Sequence, residues 1–262
     1  MGSIILKNKK GGTMGKIISV IAILILAIVL SFSFSCSNAD DVNKNEVVNK
    51  TSDEVFAEGS DADVQALLDA SMQGELEEVK RLLEDTEVDA TNENNETALM
   101  AAALYGHFEV AKFLIDNGAN SNAKNKTGHT VLMYASDYGN TDIIQLLIDK
   151  GADINTKSDN GDTALKRAVY GGHLEASELF LNNGADINVK TTDGETPLLI
   201  AVGFEYTDIV NLLIDNSADL NIANNDGVTA LMRAKDFGFT KIANILIAAG
   251  AQEDDREETG GD

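Results

Sequence analysis

Apolar positions recur along the chain at two spacings. The short spacing is that of an α-helical turn, and the long one is 33 residues. In the second half of each 33-residue unit, apolar residues follow the i, i+3, i+4 spacing that marks one face of an α-helix. The stripes are Val110-Phe113-Leu114, Ile143-Leu146-Leu147, Ile209-Leu212-Leu213 and Ile242-Ile245-Leu246. No unit is large enough to bury such a stripe alone, so the pattern predicts short helices stabilised by stacking neighbouring units.

Five columns of identical residues keep the period of 33 from residue 94 onward. They are Thr97, Thr130, Thr163, Thr196 and Thr229; Leu99, Leu132, Leu165, Leu198 and Leu231; Ala102, Ala135, Ala168, Ala201 and Ala234; Ala119, Ala152, Ala185, Ala218 and Ala251; and Asn122, Asn155, Asn188 and Asn221. The Thr column predicts helix N-caps. Two sets of residues predict positive φ, before those caps and at the first-helix ends: Asn95, Gly128, Gly161, Gly194 and Gly227, and Gly106, Gly139, Gly172 and Gly238.

These columns resemble the ankyrin repeat, whose T-P-L-H-x-A core matches best at residues 196–201, reading TPLLIA. The resemblance implies an all-α ankyrin-repeat solenoid with β-turn fingers, occupying residues 61–252. We expect six units, with a degenerate first copy and an early end to the last: 62–93, 94–126, 127–159, 160–192, 193–225 and 226–252. An acidic tail, 253–262, is expected to be disordered.

Two departures from the family pattern fall in the fifth unit. Glu205 replaces the glycine that ends the first helix, and Ser217 replaces the glycine before Ala218. A non-glycine residue held at positive φ costs about 1 kcal/mol. We therefore predict that the fifth unit is the least stable.

The N-terminal 35 residues have the pattern of a secretory signal peptide. Lys16 precedes an apolar run, residues 17–30, and Ser35 precedes Cys36. A cysteine after a small residue here resembles a bacterial lipoprotein signal, which implies lipidation of Cys36 and cleavage before it. An uncleaved signal anchor is the alternative, and both place the repeats outside the cytoplasm. We hypothesise that translation starts at Met14, and we predict that residues 36–60 form the lipidated cysteine and a disordered tether.

Charge and composition limit the classes of partner and the covalent links that the chain can have. Acidic residues outnumber basic ones, 43 against 20, giving a net charge of −23. Such a surface repels phosphate backbones, so nucleic acid is disfavoured as a partner. Cys36 is the single cysteine, which excludes an intramolecular disulfide.

No pattern typical of catalysis occurs in the sequence. His107 and His173 share one column at a helix start, where the family commonly places a structural histidine. His129 lies on a turn, a place open to solvent and to a partner. We find no zinc spacing, no phosphate loop and no calcium-loop motif. We predict a protein that is not an enzyme and has no metal, cofactor or small-molecule substrate; a hydrolase using scattered acids is a remote alternative.

Ankyrin stacks usually bind proteins through their turns and the concave side of their first helices, and the resemblance carries this expectation here. Aromatic residues at the first-helix ends form a predicted ladder, interleaved with acids, that favours a protein partner with basic and apolar patches. The predicted contact residues are Tyr105, His129, Asp137, Tyr138, Asp162, Tyr170, Glu195, Phe204, Asp236 and Phe237. A self-associating structural envelope protein remains the second hypothesis.

Overall fold

The computed structural model describes residues 60–252. The predicted signal peptide, Cys36, the tether up to residue 59 and the acidic tail lie outside these residues. The described part contains twelve α-helices: α1 Asp61–Gln73, α2 Leu76–Leu82, α3 Ala98–Tyr105, α4 Phe108–Asp116, α5 Val131–Asp137, α6 Thr141–Asp149, α7 Ala164–Tyr170, α8 Leu174–Asn182, α9 Pro197–Gly203, α10 Thr207–Asp215, α11 Ala230–Asp236 and α12 Thr240–Ala248.

The helices form two layers of a solenoid. Odd-numbered helices, the first of each unit, pack on one another in chain order, and each also packs on the even-numbered helix of its own unit. Each even-numbered helix contacts the even-numbered helix of the next unit less extensively. The predicted all-α solenoid of six units is confirmed.

The threonine column begins the first helices, as predicted. In α3, α5, α7, α9 and α11, the hydroxyl of the preceding Thr accepts a hydrogen bond from the third helical N–H at 3.2–3.4 Å. This bond satisfies one of the N–H groups that a helix start leaves without a backbone acceptor. The first unit uses a capping box instead, between Ser60 and Asp63.

The apolar stripes of the second helices form the centre of the core. The deepest column is fully buried in the last five units: Leu114, Leu147, Phe180, Leu213 and Leu246. Burying a side chain of this size contributes about 1.5–3 kcal/mol. Because the neighbouring units supply the cover, this stabilisation exists only in the stack.

Turns of successive units are joined by backbone hydrogen bonds. The N–H groups of Lys126, Asp159, Thr192 and Asn225 donate to carbonyls one unit earlier, at 2.9–3.2 Å. In residues 60–252 these turns hold two isolated β-bridges, Thr91 with Thr97 and Lys124 with Thr130. The expected fingers are therefore a row of hydrogen-bonded turns.

The asparagine column joins the loops on the opposite side of each unit. The side-chain oxygens of Asn122, Asn155, Asn188 and Asn221 accept from the backbone N–H of the next unit's loop at 2.8–2.9 Å. The amide groups of Asn122 and Asn155 also donate to Gly151 O and Gly184 O. A single side chain thus supplies a donor and an acceptor to the following unit.

Three non-glycine residues in the described part have positive φ, and all three were expected from the sequence. Asn95, Glu205 and Ser217 have φ of 58°, 59° and 66°. The glycines predicted to adopt positive φ all do so. The fifth unit therefore carries two strained positions, while its lower stability stays a prediction.

Candidate functional site

Polar and charged side chains of the first helices reach back to the preceding unit. We call this surface the inner face and define it by the first-helix residues Tyr134, Arg167 and Arg233 and the turn residues Glu96, His129, Asp162 and Glu195. All seven are half-buried. Six of them make hydrogen bonds or ion pairs with other members of the set or with adjacent side chains, and His129 hydrogen-bonds to a neighbouring threonine.

Arg233 and Glu195 form a bidentate pair between the sixth and fifth units. Arg233 Nη1 and Nη2 donate to the Glu195 carboxylate at 2.6 and 2.7 Å, and Nη1 also donates to Leu199 O at 2.9 Å. Asn224 adds a third donor to this carboxylate at 2.8 Å. Burial alone raises the pKa of Glu195, but the Arg233 and Asn224 hydrogen bonds outweigh it and lower the pKa below its ordinary value.

Arg167 occupies the same column as Arg233 and is held by two acids. Its Nε donates to Asp137 Oδ1 at 2.5 Å, and its Nη1 lies 3.8 Å from Asp162 Oδ2. Asp162 also forms an ion pair with Lys166. Burial disfavours the charged guanidinium, yet these carboxylates still raise the pKa of Arg167. The fourth unit is thereby tied to the third.

Tyr134 takes the equivalent place in the third unit. Its hydroxyl donates to Glu96 Oε1 and accepts from Asn125 Nδ2, both at 3.0 Å. Burial and the neighbouring Glu96 charge raise the pKa of Tyr134 well above its usual range. Tyr134 was missing from the predicted site, although its column is the one that carries Arg167 and Arg233.

The prediction that His129 is open to solvent was wrong. The ring is half-buried, its Nδ1 lies 2.8 Å from Thr127 Oγ1, and it meets Tyr134 edge-on with 6.4 Å between ring centroids. Burial, followed by the Arg167 charge, lowers the pKa of His129. Tyr134 belongs to the helix that follows this turn, so it lies beside the ring.

Three of the acids predicted to contact a partner are engaged within the chain. Asp137, Asp162 and Glu195 each pair with an arginine or lysine of this chain. Two of these pairs link residues 30 and 38 apart in sequence. The sequence shows the opposite charges of these pairs. It does not show which side chains face each other across neighbouring units, and the pairs could not be predicted without that knowledge.

The aromatic residues divide into separate clusters instead of one ladder. Tyr105, Tyr138 and Tyr170 are 43%, 62% and 43% exposed, whereas Phe204 and Phe237 are half-buried. Tyr170 meets Phe204 edge-on at 4.9 Å, and Phe204 stacks on Tyr206 at 5.6 Å. Phe237 instead contacts Phe239, because both belong to the last unit. In the described residues no ring contact joins Tyr138 to Tyr170.

The remaining predicted residue, Asp236, is exposed at the end of α11. His107 and His173 are structural, as expected: a ring nitrogen of each lies 2.7 and 2.9 Å from the carbonyl oxygens of Met72 and Asp137 in the preceding unit. Within residues 60–252 there is no cluster of metal-ligating side chains. The helices of this range are also too short or too polar to span a membrane.

A family model described as ankyrin repeats, in three copies, matches residues 49–125, 67–158, 121–191 and 165–257 in overlapping segments. The chain belongs to the ankyrin-repeat family. It is also similar to the crystal structure of an ankyrin repeat domain from Acinetobacter baumannii AYE, with 33% identity and a TM-score of 0.65. That similarity covers 71% of this chain and 98% of the other. No curated protein matches the sequence.

Ankyrin repeats generally act as protein-interaction modules without enzymatic activity, and this family assignment indicates such a role for the repeats here. The geometry is compatible with it. Three exposed tyrosines project from consecutive ankyrin units. The charged groups of the inner face, in contrast, are engaged in holding successive units together.

Proposed function

We propose that the chain is a lipid-anchored, extracytoplasmic ankyrin-repeat protein that binds a protein partner on its concave side, through residues at the ends of the first helices. The single observation that carries the binding role is the exposure of Tyr105, Tyr138 and Tyr170 at equivalent ends of α3, α5 and α7. Tyrosine is enriched among residues that dominate binding energy at interfaces, because its ring supplies area and its hydroxyl a polar contact.

The chemistry of the partner follows from charge and exposed surface. Residues 60–252 contain 31 acidic and 13 basic side chains, so the repeat domain repels other acidic surfaces. The exposed rings favour apolar or flat cationic groups. We propose a partner with basic and apolar patches, contacted by Tyr105, Tyr138, Tyr170 and Asp236 and by the exposed edges of Phe204 and Phe237.

Anchoring is proposed from the N-terminal sequence. Lys16, the apolar run 17–30 and the Ser35-Cys36 pair support a lipoprotein signal, and the residues that follow are polar enough for a tether. Incorporation of labelled palmitate into the full-length chain tests this part. Label in the wild type and its loss in Cys36→Ala support lipidation, whereas equal labelling of both contradicts it.

Site-specific photocrosslinking tests the binding face. A photoreactive residue at Tyr138 of the full-length chain, expressed in its host, is expected to trap a defined protein. The same residue at Gln145, exposed on the outer helix α6, serves as the matched control. Equal products at both positions, or a product only at Gln145, would overturn the proposed face.

Self-association as a structural envelope protein is the alternative. It predicts that the trapped product is a second copy of this chain. It also predicts a mass that rises with concentration in size-exclusion chromatography. A constant monomer mass together with a distinct crosslinked protein excludes it.

A further inference from the structure

Each middle unit presents an exposed tyrosine and an exposed carboxylate at one edge of the stack. We call this the loop edge and define it by Tyr105 and Glu109, Tyr138 and Asp142, and Tyr170 and Glu175. In each pair the tyrosine lies at the end of a first helix, and the acid lies near the start of the second, after a short turn. All six residues are exposed.

The carboxylates of the loop edge differ from those of the inner face. In residues 60–252 no hydrogen bond or ion pair engages the carboxylates of Glu109, Asp142 or Glu175. Asp137 and Asp162, by contrast, are paired within the chain. The loop edge therefore offers a partner unpaired carboxylates, whereas Asp137 and Asp162 do not. An acid in the first turn of a helix is favourable by itself, but this does not account for the exposed aromatic ring beside it in three consecutive units.

The same edge changes in the last two units. In the fifth, the aromatic position holds Phe204, which is half-buried against Tyr170 and Tyr206. In the sixth, Lys241 occupies the position of the acid. The combination of exposed ring and unpaired carboxylate is thus confined to units two, three and four, and it defines a surface of limited length.

We propose that the loop edge of units two to four binds an extended basic segment of the partner, with an arginine or lysine at about every third residue. This inference rests on the proposed protein-binding function. Neighbouring packed helices lie about 8–10 Å apart, and an extended chain in the polyproline II conformation rises about 3.1 Å per residue and places every third side chain on the same face. Three residues therefore span one unit.

Each cationic side chain has two complementary groups within one unit. The tyrosine ring offers its negative face to the cation, and arginine is the cation that most often uses it. The nearby carboxylate offers a hydrogen-bonding partner with the matching charge. The remaining positions of the segment face solvent.

A synthetic peptide tests this inference directly. The probe is a fluorescein-labelled nonapeptide with arginine at the first, fourth and seventh positions and alanine and serine between. Its binding to the full-length chain is followed by fluorescence anisotropy. A peptide of the same composition with three adjacent arginines controls for charge, and weaker binding of this control is expected.

Two variants separate the ring from the charge. Tyr138→Ala is expected to weaken binding about fivefold, the equivalent of one exposed cation–π contact, whereas Tyr138→Phe retains it. The triple change Glu109→Gln, Asp142→Asn and Glu175→Gln is expected to weaken binding on the order of tenfold, as three exposed ion pairs are lost. Its matched control, Asp149→Asn, Glu178→Gln and Asp215→Asn, removes the same charge from exposed outer-helix positions away from this edge.

Equal weakening by the two triple variants would mean that only net charge attracts the peptide, and this would overturn the inference. The same holds if neither peptide binds or if spaced and adjacent arginines bind equally. In those cases a protein still crosslinked at Tyr138 would leave the proposed function standing with a different partner chemistry. Loss of that crosslink as well would remove the proposed function itself.

Discussion

The fourth and fifth units have helices of the same length but differ in the residues that adopt positive φ in their loops. At the end of the first helix, the fourth unit has Gly172 with φ 73°, and the fifth has Glu205 with φ 59°. After the second helix, Gly184 corresponds to Ser217, with φ of 83° and 66°. The two units thus share the same left-handed backbone conformation. Glycine adopts it without strain in the fourth unit, whereas Glu205 and Ser217 adopt it with strain in the fifth.

The fifth unit also has contacts with its neighbouring units. Arg233 from the sixth unit binds both the Glu195 carboxylate and the Leu199 carbonyl, and Phe204 packs between Tyr170 and Tyr206. The fourth unit has the smaller Gly171 in the column of Phe204. The difference indicates that units of a solenoid are not equally stable alone, and that cross-unit pairs compensate local cost.

The largest effect is expected from removing the pair that holds the fifth unit. Arg233→Ala leaves the half-buried Glu195 carboxylate without its main partner, which should lower the free energy of unfolding by about 2 kcal/mol. Urea denaturation followed by circular dichroism measures it. Arg81→Ala breaks an exposed pair with Glu78 and should leave the free energy of unfolding nearly unchanged. Equal effects of the two substitutions would mean that the Arg233–Glu195 pair stabilises the protein no more than an exposed ion pair does.

A substitution in the fourth unit sharpens the comparison. In Gly172→Ala the new Cβ sits at positive φ and only 2.9 Å from Tyr206 Cζ. We expect a loss of about 1–2 kcal/mol from the backbone conformation, and more from the contact. Glu205→Ala places alanine at the equivalent position of the fifth unit, where a side chain is already accommodated. It should lower the free energy of unfolding much less. Similar losses at both positions would contradict the difference between the units.

Relieving the strain should stabilise the protein. Glu205→Gly and Ser217→Gly each remove a side chain from a left-handed conformation and should add up to about 1 kcal/mol. Amide hydrogen exchange measures the local effect: protection across residues 203–218 should rise in the variants, and in the wild type it should be lower than across 170–185. Uniform protection through both segments in the wild type would show that the fifth unit is not softer.

The smallest effect is expected from pH. Because the folded-state pKa of Glu195 is below its unfolded value, its contribution to stability is present above the ordinary carboxyl pKa of 4.5 and is lost as pH falls through the folded value. The difference in melting temperature between the wild type and Glu195→Gln should therefore be constant at neutral pH and shrink in acid. A difference that grows as pH falls would contradict this sign.

Local patterns in the sequence predicted most of the fold. The Thr column gave the helix starts, and the positive φ of Asn95, Glu205 and Ser217 followed from the glycines in the same columns. These features depend on residues close in sequence, where one conformation is favoured over the others. Such features can therefore be predicted from the sequence alone.

The surface was harder to predict because it depends on contacts between units. Asp137 and Glu195 were predicted as partner contacts, but arginines from the following units bind them. His129 was expected to be open to solvent, yet it is half-buried beside Tyr134. The relative rotation of stacked helices decides such contacts, and no short-range pattern specifies that rotation.

The asparagine loops have a consequence for how such a chain can change its length. Since Asn122, Asn155, Asn188 and Asn221 each bond the following loop in the same way, an internal module removed at its boundaries leaves the two flanking loops with matching donors and acceptors. Duplication of a module preserves the same geometry. Recombination within the gene therefore offers a route to longer or shorter repeat domains that keep their backbone register.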